Sequence, residues 1–229
     1  MRRLLLVLLV VLVVGVAADF AAARLAEDKV AQALQREYRL DRRPVVSVRD
    51  FPFLPHLLAG RLDAVDLAAT QVRAEGVTLA QVELHLHGVH VDRSMLLGAP
   101  GRVTVDQADG TAELGQAELS RLLAERLQGG SVEIGAQGVR LRATTTLLGQ
   151  PLSAEVTGRL AVSGGRVRFT PERVQAPGVP PALTRRLAPA FAFELPLPPL
   201  PAGIQVERVS TRPGVLLVAG RASRVQVAT

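Results

Sequence analysis

At 229 residues, with 48% hydrophobic and 21% charged side chains, the chain is long enough to bury a real core and too apolar to be disordered. Its formal charge of +6 is carried almost wholly by arginine, since Lys29 is the only lysine. The absence of cysteine excludes disulfides, thiol nucleophiles, Fe–S centres and Cys-ligated zinc, so packing alone has to hold the fold.

Met1-Arg2-Arg3 precedes an uninterrupted apolar run, Leu4 to Ala18. As a helix the run spans about 22 Å, and it crosses a ~30 Å hydrocarbon core only if it continues through Phe20–Ala23. The two arginines hold the start in the cytoplasm and direct the remainder outward. Val16-Ala17-Ala18 also makes an acceptable small-residue cleavage site, so residues 1–19 read as a signal anchor or a signal peptide. The helical pattern runs past Ala18 without a break, which favours the anchor. Either way, residues 20–229 are expected to form a single exported domain. From Phe20 to Tyr38 the positions Phe20, Ala23, Val30, Leu34 and Tyr38 share one helical face, with Glu27 as the charged exception.

The stretch Val45–Leu67 reads as strand, break, short helix and strand. Val46, Val48 and Asp50 alternate with Val45, Ser47, Arg49 and Phe51 before Pro52 ends the pattern. An apolar turn of helix follows and leaves at Gly60. Phe51, Phe53, Leu54, Leu57 and Leu58 gather five bulky apolar groups in eight residues, and Arg49 and Arg61 bracket them. The plain reading is a core-filling corner; the functional one is a contact for an amphiphile with oily chains and an anionic head.

Beyond it the apolar parity shifts between Leu62 and Val65, which predicts a bulge near Ala64–Val65. Val82, Leu84 and Leu86 alternate with polar neighbours, and Val103 and Val105 open a strand that runs towards Leu114. The spacing predicts a helix over Gln116–Leu127, with Leu119, Leu122, Leu123 and Leu127 as its buried stripe. Strands are expected at Ser131–Ala136, Val139–Thr146, Leu152–Val162 and Arg166–Thr170. Arg140, Arg142, Arg166 and Arg168 alternate with apolar residues there, as on a solvated strand face. Residues 171–201 hold nine of the fifteen prolines. Pro180-Pro181 is expected to open a helix through Leu183, Leu187 and Phe191, and Leu195–Gly203 a rigid extended connector. Ile204–Val209 and Val215–Val227 close the chain as a hairpin. Hairpin connections outnumber helical crossovers, so the fold class is α+β with a mostly antiparallel sheet.

The cluster Glu83, His85, His87, His90 and Asp92 is the only one that suggests a metal. In a regular strand, however, His90 points away from His85 and His87, and no HExxH pattern accompanies them. No GxSxG elbow, P-loop or GxGxxG is present, so neither a catalytic site nor a cofactor is expected. Nucleic-acid binding would fit a pI near 11.1. Against it stand the export signal, an aromatic content of 3% and the lack of any basic block. Anionic lipid head groups fit the basicity better.

The export helix, V-x-V-x-D-F-P-F-L-P-H-L-L-A-G-R-L at Val46–Leu62, P-E-R-V-Q at Pro171–Gln175, L-P-L-P-P-L-P-A-G-I-Q-V at Leu195–Val206 and L-L-V-A-G-R-A-S-R-V at Leu216–Val225 together resemble one family. It is that of the LmeA-like phospholipid-binding proteins of actinobacteria, and the resemblance covers roughly residues 20–228. It implies a cell-envelope protein outside the inner membrane that binds anionic phospholipids, phosphoinositides among them. It also implies a curved antiparallel sheet wrapped around helices, as in tubular (TULIP-like) lipid-binding domains, and a link to envelope glycolipid assembly. It carries no residue-level motif. The expectation is therefore a non-enzymatic lipid carrier that holds acyl chains in an apolar channel between sheet and helices, against Phe51, Phe53, Leu54, Leu57, Leu58, Phe191 and Phe193, with head groups at Arg49 and Arg61. The alternative is a structural envelope protein without a lipid cavity, acting as the partner of a membrane glycosyltransferase.

Overall fold

A computed structural model describes residues 2–74, 76–96, 101–127, 130–147, 150–163, 165–180, 184, 188–196 and 203–228. The fold is α+β, with two antiparallel sheets. Its elements are helix α1 (Arg2–Glu37), strand β1 (Val45–Val48), helix α2 (Phe53–Ala59), β2 (Arg61–Ala74), β3 (Val77–Val91), the single turn α3 (Arg93–Leu96), β4 (Arg102–Gly115) and α4 (Gln116–Leu127). After these come β5 (Ser131–Gly135), β6 (Gly138–Leu147), β7 (Gln150–Ser163), β8 (Arg166–Gln175), a 3₁₀ turn at Ala188–Phe191, β9 (Phe193–Pro196), β10 (Gln205–Arg212) and β11 (Val215–Ala228). One sheet has the order β1-β2-β3-β4-β11-β10 and the other runs β5-β6-β7-β8-β9. The helix expected from Pro180-Pro181 and most of the proline-rich connector lie outside the described residues.

The chain divides into two compact units. Unit 1 is Met1–Gln71, Glu83–Gly110 and Ala222–Thr229; unit 2 is Val72–Val82 and Thr111–Arg221. Strands β2, β3, β4 and β11 contribute residues to both.

In unit 1, α1 packs against β1 and α2. The β1–β2 register runs without a break from Val45↔Ala68 to Val48↔Val65, while the buried positions of β2 switch from Leu62 to Val65. Glu27, the charged exception on the α1 face, has a structural role, since its carboxylate accepts the Val48 N–H at 2.9 Å. Arg43 pairs with Asp28 at 3.5 Å and donates to the Asp28 carbonyl, tying the turn after α1 back onto the helix. Phe20, Val30 and Tyr38, expected on the packed face, are exposed instead, and Ala31 is the fully buried residue of this part of α1.

Unit 2 holds a continuous core. Leu114, Leu119, Leu123, Val132, Ile134, Val139, Leu141, Val156, Phe169 and Leu216 are all buried in one cluster. The alternation read in β5 and β6 is thus real: Val132, Ile134, Val139 and Leu141 face inward, while Glu133 and Arg140 pair outside at 2.8 Å. Strand β10 packs on β5, β6 and β7. On α4, Leu119 and Leu123 of the expected stripe are buried and Leu122 is exposed, while the Leu127 side chain lies outside the described ones. Gly158, at a register shift between β7 and β8, is required by close approach. A Cβ there would stand 2.4 Å from the Thr170 carbonyl oxygen and 2.7 Å from the Phe169 ring.

Helix α4 is fastened by one carboxylate. Glu118 accepts the Thr78 N–H at 2.8 Å and pairs with Arg121 at 2.6 Å, and Arg121 also donates to the Gly76 carbonyl. The Arg121 hydrogen bond, followed by that from Thr78, lowers the Glu118 pKa from 4.5 to about 2. A carboxyl depressed on folding stabilises above its unfolded pKa and loses that effect as the pH falls towards the folded value. Glu118→Gln should therefore melt below wild type at pH 7, and the gap in Tm should close between pH 4.5 and 2. In the core, Phe169→Ala should cost about 3–5 kcal/mol in urea unfolding, because its ring is completely buried.

Candidate functional site

The corner between α1 and α2 brings together most of the residues singled out in the sequence. Pro52 sits at the N-cap of α2 without a side-chain cap, and Gly60 ends the helix in the left-handed region with φ 76°. The missing cap is supplied from α1, 34 residues away. Asp19 is 6% exposed, and its carboxylate oxygens accept the N–H groups of Phe53 and Leu54, each at 2.7 Å. These are two of the orphan donors that any helix start leaves open. Phe53 is 2% exposed and belongs to the unit 1 core, while Leu54 and Leu57 are half-buried. Phe51 and Leu58 point outward, 59% and 67% exposed. Phe51 stacks on Phe20 of α1, with ring centroids 5.6 Å apart.

The two bracketing arginines are exposed and already partnered. Arg49 pairs with Asp66, which also accepts a hydrogen bond from His85 Nδ1 at 2.7 Å. The His85 hydrogen bond foremost, then that of Arg49, hold the Asp66 carboxyl below the usual carboxylate range against an opposing effect of burial. Arg61 lies 3.4 Å from Asp63, whose own N–H is bonded to Asp50. His90 pairs with Asp106 at 3.1 Å, so two of the three strand histidines are engaged with aspartates. Among the described residues no group of three or more His, Asp or Glu side chains could hold a metal ion.

Phe191 and Phe193 belong to unit 2. Both are half-buried against its core, and the Phe193 ring stacks on Phe169 at 5.1 Å. Unit 2 also carries two open grooves that no pattern in the sequence announces. The first, of about 860 Å³, has an apolar wall of Ala154, Val174, Ala176, Pro177, Val179 and Ala188, with Arg142, Glu155, Glu172 and Arg173 along its polar side. The second, of about 820 Å³, lies over the β5–β6 turn and includes Arg140, Arg159, Glu172 and Arg173. With Glu133, which also lines the second groove, four arginines thus face three glutamates. Arg140 and Arg142 reach Glu155 at 3.1 and 3.3 Å, and Arg159 reaches Glu172 at 2.7 Å. Arg173 lines both grooves, and its side chain makes no ion pair or hydrogen bond among the described residues. In the sequence it is one residue of the P-E-R-V-Q motif and not among the arginines singled out; only the groove distinguishes it.

The Asp19 clamp can be tested directly. Asp19→Asn keeps the size of the side chain but replaces one acceptor oxygen with an amide donor aimed at a backbone N–H. The substitution should lower unfolding free energy by about 1–3 kcal/mol in denaturant titration.

Among the described residues there is one helix long and apolar enough to cross a membrane, and it lies near the N-terminus. That suits a signal sequence or a membrane anchor. No curated protein and no solved structure matches the chain. A family model does match, over residues 17–221, which takes in the second half of α1, the α2 corner, α4 and both grooves. The chain belongs to the LmeA-like phospholipid-binding family.

Proposed function

We propose that this is an exported, envelope-located protein that binds phospholipid, prefers anionic head groups and performs no catalysis on them. The match to a phospholipid-binding family across residues 17–221 carries the reading. The first groove of unit 2 supports it, because an apolar wall beside arginines suits the two ends of an amphiphile. Its volume falls within the usual range for ligand sites, roughly 300–1,000 Å³. Acyl-chain burial at about 25 cal/mol per Å² would supply most of the affinity. Charge-assisted contacts from arginine to phosphate would supply head-group preference. Arg173 is the first residue to assign to that role, since among the described residues no partner has to be displaced from its side chain. Arg49 and Arg61 would join it only by exchanging Asp66 and Asp63 for lipid phosphate.

A second reading, a structural partner of an envelope glycosyltransferase that holds no lipid, is supported by the buried core of unit 2, where Val156 and Phe169 are shut off from solvent. Organic extraction of the purified full chain, followed by mass spectrometry, separates the two. Stoichiometric co-purifying phospholipid is expected, and its absence would favour the partner reading. Arg173→Ala should weaken binding to phosphatidylglycerol vesicles by about three- to tenfold, the loss of one charge-assisted contact, and leave binding to phosphatidylcholine vesicles unchanged.

A further inference from the structure

Helix α2 carries its apolar surface on both sides. Phe53 points into unit 1, while Pro52, Pro55, Leu58 and Ala59 are all exposed. Their spacing of three to four residues puts them on one helical face, and none is charged. Phe51 extends the same exposed surface at the helix entrance, and Phe20 lies beside it. For a helix in water this is the wrong way round.

The depth of this surface follows from α1. Counting from Leu4 at the cytoplasmic edge, Asp19 and Phe20 lie about 22–24 Å along the helix, inside a ~30 Å hydrocarbon layer or at its outer boundary. A bare carboxylate at that depth is unfavourable. Asp19 is not bare, because α2 covers it and satisfies both of its oxygens. The clamp and the Phe20–Phe51 stack therefore hold α2 at the level where α1 leaves the lipid.

We infer that the exposed face of α2, with Phe51 and Phe20, is an interfacial foot seated in the head-group–acyl boundary of the bilayer that α1 enters. It would fix the height and tilt of unit 1 at that surface. Phe51 and Leu58 then touch bulk bilayer and not bound cargo. The occupant is a lipid surface and not a protein, because the patch continues the lipid-facing side of α1, whose Leu9–Val14 side chains are equally exposed.

The chain contains no tryptophan, so a single introduced one reports alone. Full-length Leu58→Trp would be reconstituted in phosphatidylcholine–phosphatidylglycerol vesicles brominated near the carbonyl end or near the methyl end of the acyl chains. Tyr38→Trp, just past the end of α1 and about 27 Å beyond Phe20, serves as the water-side reference. The foot requires blue-shifted emission from position 58, quenched about threefold or more over position 38 and more strongly by the shallow bromines. Equal quenching at the two positions would overturn it. In parallel, Pro55→Asp, on the same exposed face, should leave the amount of co-purifying phospholipid unchanged. Loss of that lipid would make this face a cargo contact and also overturn the foot. If no variant, wild type included, retains lipid, the proposed function fails, yet the quenching comparison still decides the foot.

Discussion

Unit 1 depends on a carboxylate that looks misplaced in the sequence. Asp19 follows fifteen apolar residues and, read locally, simply ends the hydrophobic run. In three dimensions it is the N-terminal cap of α2, supplied from a helix 34 residues away. A helix start leaves N–H groups without partners, and Pro52 at the N-cap has no side-chain oxygen to offer. Without Asp19 those donors would be orphaned beside a buried phenylalanine. Without α2 the carboxylate would stand unsolvated on an apolar helix. Each removes the other's penalty, which is why α1, the turn and α2 form one piece. Glu27 repeats the arrangement one layer further on by taking the Val48 N–H. Two acidic residues on α1 thus fasten the helix to β1 and α2 through backbone donors. Such bonds are indifferent to the side chains of the segment they hold.

The excess of arginine has a different basis. On the outer face of β5–β8, guanidinium groups alternate with inward-facing valines and leucines, and glutamates on neighbouring strands meet most of them. Arg140 lies between Glu133 and Glu155, and Arg168 reaches Glu194 at 2.6 Å. On a sheet face laced in this way most of the positive charge is compensated locally, although the chain carries a formal charge of +6. Net charge is therefore a poor guide to where an anion would settle, and local compensation is a better one. By that measure Arg173 stands apart from its neighbours.

Much of the architecture was legible because it rests on periodicity. The bounds of α2 and α4, the terminal hairpin with its Pro213-Gly214 turn, and the β5–β8 meander follow from alternation, leucine spacing and glycine placement. The features that escaped were set by tertiary partners. The outward turn of Phe20, Val30 and Tyr38 on α1 was hidden because a helical wheel shows which residues share a face, not which face meets the protein. Leu122 left the α4 stripe for the same reason: with Leu119 and Leu123 packed, it falls at the edge of the buried arc. The short strand β9 sits in a proline-rich stretch, where only pairing with β8 distinguishes a strand from an extended connector. The family was legible from motifs; the division of polar and apolar groups within the grooves was not, since it joins residues from β6, β7, β8 and the segment after β8.

The way charges are paired bears on how lipid binding would work. Exposed Arg–carboxylate pairs contribute roughly 0–1 kcal/mol, so breaking one to engage a phosphate sacrifices little. A phosphate diester offers a guanidinium two oxygens in the geometry that a carboxylate does, and the displaced carboxylate returns to water. Under the proposed function, arginines held by glutamate or aspartate would be secondary to Arg173, kept in register and shielded from adventitious anions until a phospholipid brings apolar area with its charge. Free phosphate would gain only the exchange, which is nearly neutral. Lipid would gain the exchange together with chain burial. On that account selectivity for amphiphiles over soluble anions arises from the coupling of the two terms, with no need for a large net positive field.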